Sequence, residues 1–474
     1  MKKFKKLITF ENCFSRKIKK KNKWLQRLKK NSVLTKQTFE KCFLSKPTII
    51  RLLEQFYTHM TKIQKISIPF QICGFDILGS ARTGSGKTLA FLIPMIEFFY
   101  SIKWNANNGT GGLVLTPTRE LSLQNYYVLK DLLKYHTHTF GIIMGGSNKK
   151  IEIEKIKKKP IILVATPGRL LDHLRNTRYI QTNNLQFLII DEADRCLEIG
   201  FEAEIISIIR LLPKNRQTIL FSATQTKNVC NLAKISFRKD PVYIETETEK
   251  IKNFNPDVEQ GFVICQPEDR LVLLFALLKR NTKKKIITFF SSCNEVKFFF
   301  SLFKKIGLNI LELHGKQKQF KRICSFFNFC KAKESILFCT DVAARGLDIP
   351  SVDWIIQFNP PLEPKEYIHR IGRTGRGVHR KGWTLLFLQS TEIGFLKFLK
   401  REKIKIKEYD FQKKNFLILN QRIIYLIQKN LYLKKLSKEA YDSFLKSYKS
   451  HRLKDIFDIK KINIFSLKKS FGIV

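Results

Sequence analysis

Acidic residues are scarce in this 474-residue chain: 40 Asp and Glu stand against 87 Lys and Arg, a formal net charge of +47. An excess of that size makes a polyanion the default partner, because each Lys or Arg that neutralises a phosphate releases counterions into bulk solvent. Cysteine pairing is missing too. Ten cysteines are scattered and no two form a C-x-x-C pair, which argues against a zinc ribbon or dithiol redox motif and suits reduced, mostly buried thiols. Long apolar runs are also lacking. Leu7 to Phe10 stops at Glu11, too short for a signal-peptide core, and Leu89 to Tyr100 is broken by Pro94 and Glu97, well short of a bilayer span. The expectation is a soluble, intracellular protein with no membrane partner. What the chain does have is apolar mass: 44% hydrophobic and 12% aromatic residues suffice for two or three cores and exclude a wholly disordered chain.

Residues 1–36 read as a basic, disordered arm, with thirteen Lys/Arg and one acidic residue (Glu11) in the first thirty positions. The cluster Arg16 to Lys21 is either a nuclear-import signal or a plain phosphate-binding tail. Short apolar runs then alternate with helical spacing: Ile77–Gly79, Gly112–Leu115, Ile161–Ala165, Phe187–Ile190 and Thr218–Phe221. Such runs suit the buried strands of a doubly wound α/β sheet. The charged segment 246–260, with Pro256 inside it, reads as a linker. A second series follows over 261–395, so the fold class is α/β with two tandem parallel-sheet domains, the first over 37–245. Residues 396–474, with 21 basic and 7 acidic residues, look mainly helical and lack the strand pattern.

Three segments carry chemistry. In Ala81-Arg82-Thr83-Gly84-Ser85-Gly86-Lys87-Thr88, after a strand and opening a helix, backbone N–H groups can wrap phosphate, Lys87 can reach the outer phosphates and the Thr88 hydroxyl can ligate Mg²⁺. Ala81 stands where the general phosphate-loop pattern has its first glycine; taken alone, the segment could be a chance Gly-rich turn. Phe187 to Asp194 is an apolar strand ending in carboxylates, which suits Asp191 near the metal through water and Glu192 beside the attacking water. The bland alternative is a solvated acidic turn. In Tyr367 to Arg376, arginines three apart line one helical turn, so Arg373 and Arg376 can converge on one phosphate, where the alternative is a basic helix face.

Together these segments resemble the DEAD-box RNA helicases, whose name is spelled by residues 191–194. Further matches occur in that family's order: Thr61-Lys62-Ile63-Gln64, Pro117-Thr118-Arg119-Glu120-Leu121, Gly145-Gly146, Thr166-Pro167-Gly168-Arg169, Ser222-Ala223-Thr224, Phe289 to Ser292, Gln319 to Arg322 and Thr340 to Asp348. The resemblance covers roughly residues 37–395. It implies two RecA-like domains that close on ATP, with Mg²⁺, and on single-stranded RNA. Carried over, Gln64 hydrogen-bonds adenine, Tyr57 stacks on it, residues 81–88 hold the phosphates and Asp348 meets the ribose. Pro117, Thr118, Arg119, Gly146, Thr166 and Arg169, with Arg322 and Thr340, fall at RNA-backbone positions, which read phosphates and 2′-hydroxyls. Ser222, Ala223 and Thr224, with Asp194, His369 and Arg370, fall at positions that couple hydrolysis to strand separation. Two departures stand out. Phe56 sits where many members have glycine, and Met60 replaces the usual proline; the aromatic that braces this motif is either Phe39 or Phe43.

Gly145 to Asn148, His314 to Gln319 and Tyr441 to Phe457 resemble the nucleolar branch that matures the large ribosomal subunit. That resemblance implies pre-ribosomal RNA and pre-ribosomal proteins as partners, a monomer, and a nuclear, nucleolar location; the 40 Phe and many Lys fit an A+T-rich genome, such as an endosymbiont-derived nucleus. The leading expectation is ATP-dependent local unwinding. An ATP-gated RNA clamp or assembly scaffold is the alternative, since holding and unwinding use the same residues, and a DNA translocase is disfavoured by the family likeness. The C-terminal extension is expected to hold RNA beside the core, so that its deletion weakens and flattens the salt dependence of RNA binding. Its bland alternative is a Lys-rich appendage packed on the second domain.

Overall fold

The computed structural model describes residues 35, 37–81, 84–222, 224, 226–238, 240–246, 258–341, 349, 352–374, 381–402, 404–411 and 416–473. The basic arm up to residue 34 and most of the linker, 247–257, lie outside the described residues. The chain divides after Thr248 into two compact units.

The first unit is built on a seven-stranded, all-parallel sheet: β1 (Ile77–Ser80), β2 (Gly112–Leu115), β3 (Phe140–Ile143), β4 (Ile162–Ala165), β5 (Phe187–Ile190), β6 (Gln217–Ser222) and β7 (Val242–Glu245), in the order β3-β4-β2-β5-β6-β1-β7. Helices cover both faces, which is why the inner strands β2, β4 and β5 are apolar and buried along their whole length. The second unit repeats the plan with β8 (Val258–Ile264), β9 (Lys285–Phe289), β10 (Ile310–Leu313), β11 (Ser335–Cys339), β12 (Trp354–Gln357), β13 (Gly382–Leu388) and β14 (Lys407–Glu408), in the order β10-β11-β9-β12-β13-β8-β14. The expected α/β architecture with two parallel sheets is therefore the observed one.

Three strands have no counterpart among the expected ones: β3, β7 and β14. All three are sheet edges. An edge strand is covered on fewer sides, so β3 and β7 carry partly exposed positions and β14 is exposed at both residues; β7 and β14 lack the continuous apolar run of a central strand, whereas β3 reads Phe-Gly-Ile-Ile, as apolar as β2, and was overlooked. The linker assignment also needs correction at its end, because residues 258–260 already form the start of β8, paired with Gly382, Trp383 and Thr384 of β13.

The C-terminal region is a third layer of the second unit and not a separate appendage. Helices Phe416–Lys429, Leu431–Lys449 and Ile464–Ser470 follow the short edge strand β14. Phe444, Tyr448, Phe457, Leu467 and Phe471 share one core with Phe298, Phe299 and Phe358. The Phe471 ring lies 6.1 Å from both Phe298 and Phe299 and 5.9 Å from Phe444. Asn294 Nδ2 donates to Ser443 Oγ at 2.7 Å, fastening the helix Cys293–Lys305 to the helix Leu431–Lys449. Deleting 396–474 would strip this apolar face bare, so that truncation tests stability before it tests RNA binding.

Each unit holds a histidine that its surroundings keep neutral, half-buried His136 in the first and buried His451 in the second. His136 Nε2 sits 3.0 Å from Thr48 Oγ1, whose hydroxyl donates to Glu97 at 2.6 Å. Burial first, then the neighbouring His138, pushes its pKa from 6.5 down to about 4. His451, stacked on Phe457, is held at about 4 by burial, against the pull of the Pro361 carbonyl. A depressed folded pKa contributes stability that is complete above the unfolded value and is lost as pH falls. The thermal midpoint is expected to drop between pH 6.5 and about 4, and His136→Gln should flatten the part of that drop belonging to the first unit.

Candidate nucleotide and RNA site

The functional loops of the first unit all leave the C-terminal ends of its strands, as in open α/β sheets generally. Those after β1, β5 and β6 are neighbours in the sheet, and those after β2, β3 and β4 form the adjoining group.

After β1 the chain turns through Gly84 (φ +78°) and Gly86 (φ +89°) into the helix Lys87–Ser101. Glycine is required at 86 for space as well as for φ: a Cβ there would lie 2.5 Å from the Gln64 Nε2. Gln64 is buried, accepts from the Thr61 N–H at 2.8 Å and donates to the Gly86 carbonyl at 3.0 Å. The residue expected to read adenine is thus tied directly to the phosphate loop. Tyr57 stays half-exposed on the segment leading to it. Lys87 is buried, and its ammonium donates to the Ala81 carbonyl at 3.1 Å. Arg82 and Thr83 lie outside the described residues.

At the tip of β5, Asp191 and Glu192 are both buried. Glu192 has φ +50°, a left-handed conformation that costs a non-glycine residue about 1 kcal/mol or more. The chain accepts that strain to turn this carboxyl at the start of the helix Ala193–Glu198. Burial pushes the Asp191 carboxyl above its ordinary pKa, opposed by the Lys87 charge and an amide hydrogen bond. That amide belongs to Asn125, whose Nδ2 donates to Asp191 Oδ2 at 3.2 Å while its Oδ1 accepts from the Thr88 hydroxyl at 3.4 Å. Asn125 therefore bridges the two residues expected to hold magnesium. Nothing in the ordered motifs marks it; its only sequence signal is an amide on the apolar side of a helix. Asp191 Oδ1 is buried without a hydrogen-bond partner. A buried, unpaired carboxylate oxygen near a hydroxyl supplies the oxygen ligands that suit a hard divalent cation, while the Lys87 ammonium is placed for phosphate.

Three of the residues expected to couple hydrolysis to strand separation meet one strand away. Asp194 Oδ2 accepts from the Thr224 N–H at 3.0 Å and from its hydroxyl at 2.9 Å, and the Ser222 hydroxyl donates to the Thr224 carbonyl at 2.7 Å. Ala223 lies outside the described residues.

The adjoining loops gather the first unit's RNA-position residues. The Thr118 hydroxyl caps the helix Arg119–Leu132 by accepting from the Leu121 N–H at 3.3 Å, directly after buried Pro117. The Arg119 guanidinium packs on Gly146, where φ is +80° and a Cβ would meet it at 2.3 Å. The Thr166 hydroxyl accepts from the Gly145 N–H at 3.2 Å, and Arg169 donates to the Ser147 carbonyl at 3.3 Å. Glu152 organises the group: buried, it pairs with Arg169 at 3.0 Å, contacts His173 at 3.0 Å, accepts from the Met144 N–H at 3.0 Å and from the Ser147 hydroxyl. Sequence reasoning missed it, because a carboxylate inside a cationic surface has no motif of its own.

In the second unit, Arg322 lies on the helix Gln319–Lys331, and Thr340 follows β11 with its hydroxyl buried and unpaired. His369 and Arg370 lie on the helix Pro364–Ile371. Arg373 is not on that helix, which ends at Ile371, so the expected helical spacing does not carry it toward Arg376. Arg373 sits beyond its end, buried, with its carbonyl accepting from the Val352 N–H at 3.1 Å. Arg376 and Asp348 lie outside the described residues.

The sequence matches the family model described as DEAD/DEAH box helicase over residues 61–232 and that of the helicase conserved C-terminal domain over 269–378. It is 51% identical over 437 residues to the ATP-dependent RNA helicase HAS1 of Saccharomyces cerevisiae, covering 92% of this chain and 86% of that one. The chain belongs to the DEAD-box family of ATP-dependent RNA helicases. A HAS1 helicase of Kluyveromyces lactis is similarly close, 51% identical over 436 residues, covering 92% of this chain and 88% of that one. Residues 430–474 match the C-terminal extension described as ATP-dependent rRNA helicase SPB4-like. Among solved structures, Mss116p bound to ssRNA and AMP-PNP superimposes with a TM-score of 0.81 at 27% identity, over 94% of this chain and 92% of that one. Saccharomyces cerevisiae Dbp5 bound to RNA and ADP BeF3 gives 0.70 at 25% identity, over 81% and 98%.

The two departures from the DEAD-box pattern have physical accounts. Phe56 has φ +59° and is 90% exposed, a conformation that explains why glycine suits the position. Met60, in place of proline, keeps a backbone N–H that donates to the Gln37 carbonyl at 3.0 Å, and the Thr35 hydroxyl donates to its carbonyl at 2.5 Å. Proline could not make the first of these bonds. Of the two candidate bracing aromatics, Phe39 is buried in one core with Met60 and Ile63, whereas Phe43 is 59% exposed.

Proposed function

We propose that this DEAD-box helicase unwinds or remodels short RNA duplexes in pre-ribosomal particles, as a monomer in the nucleolus. The observation that carries the substrate class is the match of residues 430–474 to the extension of an rRNA helicase, on a segment folded into the second unit's core.

In the mechanism, Gln64 and Tyr57 receive the adenine and the turn 81–88 receives the phosphates on backbone N–H groups at a helix N-terminus. Thr88 and, through water, Asp191 would hold a magnesium ion, which supplies charge to offset the phosphate oxygens. Glu192 orients the attacking water and accepts its proton. Arg373 and Arg376 supply positive charge to the transferring group. Asp194 passes the change to Ser222 and Thr224 through the bonds described above, and the Arg119, Thr166 and Arg169 loops grip the RNA backbone without reading bases.

Asn125→Ala should lower the turnover number and raise the magnesium concentration needed for half-maximal hydrolysis roughly tenfold, since one charged-group hydrogen bond is worth about 1.5 kcal/mol or more. RNA affinity should stay unchanged. An unaltered magnesium dependence would remove the bridging role. The exposed Lys434, Lys435 and Lys438 on the helix Leu431–Lys449 provide the test of RNA binding by the extension that truncation cannot. Replacing all three by Gln should reduce the slope of log affinity against log salt by about two, if each contacts a phosphate of single-stranded RNA.

Unwinding and clamping separate in one comparison. Duplex separation under ATP turnover, with RNA held by a non-hydrolysable analogue and released on hydrolysis, is the expected result. Persistent RNA binding without strand separation under turnover would establish the clamp instead.

A further inference from the structure

The C-terminal extension touches one segment on which the proposed mechanism depends, the turn 358–363 between β12 and the helix Pro364–Ile371. That helix carries His369 and Arg370, and Arg373 lies just beyond its end. The turn reads Phe358-Asn359-Pro360-Pro361-Leu362-Glu363 and runs into Pro364. Proline fixes its own φ and restricts the residue before it, so a turn with this composition is stiff and carries a displacement at one end to the other. The first half of the turn is held by the core of the second unit. Arg270 Nη2 donates to the Phe358 carbonyl, and Asn359 Nδ2 donates to Ser291 Oγ and to Glu295 Oε1, both at 3.0 Å. The Asn359 carbonyl accepts from Arg370 Nη1 at 2.8 Å, which joins the turn to the helix that follows it.

The second half is held by the extension. His451 Nε2 lies 3.1 Å from the Pro361 carbonyl oxygen, and His451 Nδ1 lies 3.2 Å from the Leu453 backbone nitrogen. A carbonyl can only accept and a backbone N–H can only donate. The ring is therefore the neutral tautomer with its proton on Nε2, donating to Pro361 and accepting from Leu453. It is 3% exposed and stacks on the Phe457 ring with centroids 3.6 Å apart, so it has little room to turn. The His451 N–H donates to the Tyr448 carbonyl at 3.2 Å, which ties it to the end of the helix Leu431–Lys449. Beside it, Arg452 pairs with Glu363, the residue before the helix Pro364–Ile371. Arg452 is 77% exposed, so buried His451 is the stronger tie. Apolar packing would be satisfied by many small shifts of the extension, whereas a buried hydrogen bond to one carbonyl fixes a position along the turn.

We propose that His451 is a positioning residue for ATP hydrolysis: through the Pro361 carbonyl it sets where the turn delivers the helix Pro364–Ile371, and so where Arg370 and Arg373 stand. The extension then governs turnover as well as stability. The inference rests on the hydrolytic role proposed above for Arg373. His451 acts through the turn and not on the nucleotide, so its loss lowers the rate of the chemical step and leaves binding intact. A misplacement of about 1 Å in a group that stabilises the transition state is enough to slow a reaction on the order of a hundredfold.

The test uses the full chain and two substitutions that keep different halves of the imidazole. The amide nitrogen of Gln reaches as far as Nε2 and keeps the Pro361 bond, whereas the amide oxygen of Asn stands in the place of Nδ1 and keeps only the Leu453 bond. Both lose the stacking on Phe457, so a merely structural role would lower the thermal midpoint and the turnover of the two variants alike. RNA-stimulated hydrolysis is measured well below the lower midpoint. His451→Asn should lower kcat roughly tenfold with KM for ATP unchanged, and His451→Gln should stay within about twofold of the intact protein. RNA affinity with a non-hydrolysable ATP analogue should be the same in all three. Equal turnover in the two variants, or a loss in His451→Asn that appears in KM and not in kcat, overturns the proposal. Arg452→Gln, at an exposed position, decides the matter if His451→Asn does not fold: kcat should fall about twofold at an unchanged midpoint, and an unaltered kcat overturns the proposal. Arg373→Lys separates this inference from the reading beneath it. Normal turnover in Arg373→Lys removes the role of that arginine and the inference with it, whereas a slow Arg373→Lys beside a normal His451→Asn overturns the inference alone.

Discussion

Glu192→Gln is expected to abolish RNA-stimulated ATP hydrolysis, by at least the roughly 10²- to 10⁴-fold that a positioned general base contributes. The substitution keeps the side chain's shape and leaves the φ +50° backbone unchanged, so the thermal midpoint should barely move. Nucleotide and RNA binding should survive, because Lys87, Thr88 and the backbone of the phosphate loop are untouched, and the variant should therefore hold RNA in an ATP-dependent complex that does not turn over. The measurement is steady-state hydrolysis with and without single-stranded RNA. Turnover within tenfold of the intact protein would move the general-base role away from Glu192. The nearest other carboxyl groups are less suitable: Asp194 is engaged by Thr224, and Asp191 by Asn125 on one oxygen.

The second large effect is on stability. Arg370 is 1% exposed and four of the five N–H groups of its guanidinium are used: Nε and Nη2 donate to the two oxygens of Asp341 at 2.6 and 2.9 Å, and Nη1 donates to the Asn359 carbonyl at 2.8 Å and to Gln357 Oε1 at 3.3 Å. The guanidinium also lies 5.1 Å from the Phe289 ring centre. Burial opposes its charge, but Asp341 more than restores it. Removing one member of a fully buried pair costs about 3 to 5 kcal/mol, and water reaching the 28% exposed Asp341 makes the cost smaller here. Arg370→Ala should therefore destabilise the second unit by up to that amount, seen as faster amide exchange in β9, β11 and β12, with hydrolysis lost as a consequence. Arg370→Lys should recover little, since an ammonium cannot reproduce the two parallel bonds to Asp341. A variant with native exchange protection but no ATPase would mean that Arg370 acts on the reaction directly and that its ion pair is dispensable.

Much of the site was legible in the chain because phosphate recognition is local. A phosphate turn such as the one proposed for 81–88 holds an anion with consecutive backbone groups, so its chemistry appears as consecutive letters, and the same holds for the carboxylates at the tip of β5. The central strands were legible for a related reason: a strand buried on both faces must be apolar throughout. Edge strands β7 and β14 escape that constraint and escaped notice, while β3, an apolar Phe-Gly-Ile-Ile run, was legible and overlooked. The helical reading of Arg373 failed because i, i+3 spacing describes a face only while the helix lasts, and this one stops at Ile371.

The sequence alone determined the two-sheet architecture, the position of the candidate nucleotide turn and of the carboxylates proposed for catalysis, and the net charge of +47 that suits a polyanion, since each follows from contiguous residues or from composition. The tertiary structure alone decided that Phe39 and not Phe43 braces the adenine segment, that Asn125 joins Thr88 to Asp191, that Glu152 organises the RNA loops, and that the basic C-terminal helices complete the second core. Those contacts join residues that are distant in the chain and individually ordinary. An amide, a carboxylate or a phenylalanine acquires such a role only from what the fold packs against it, and burial without solvent is what makes each of those pairings count.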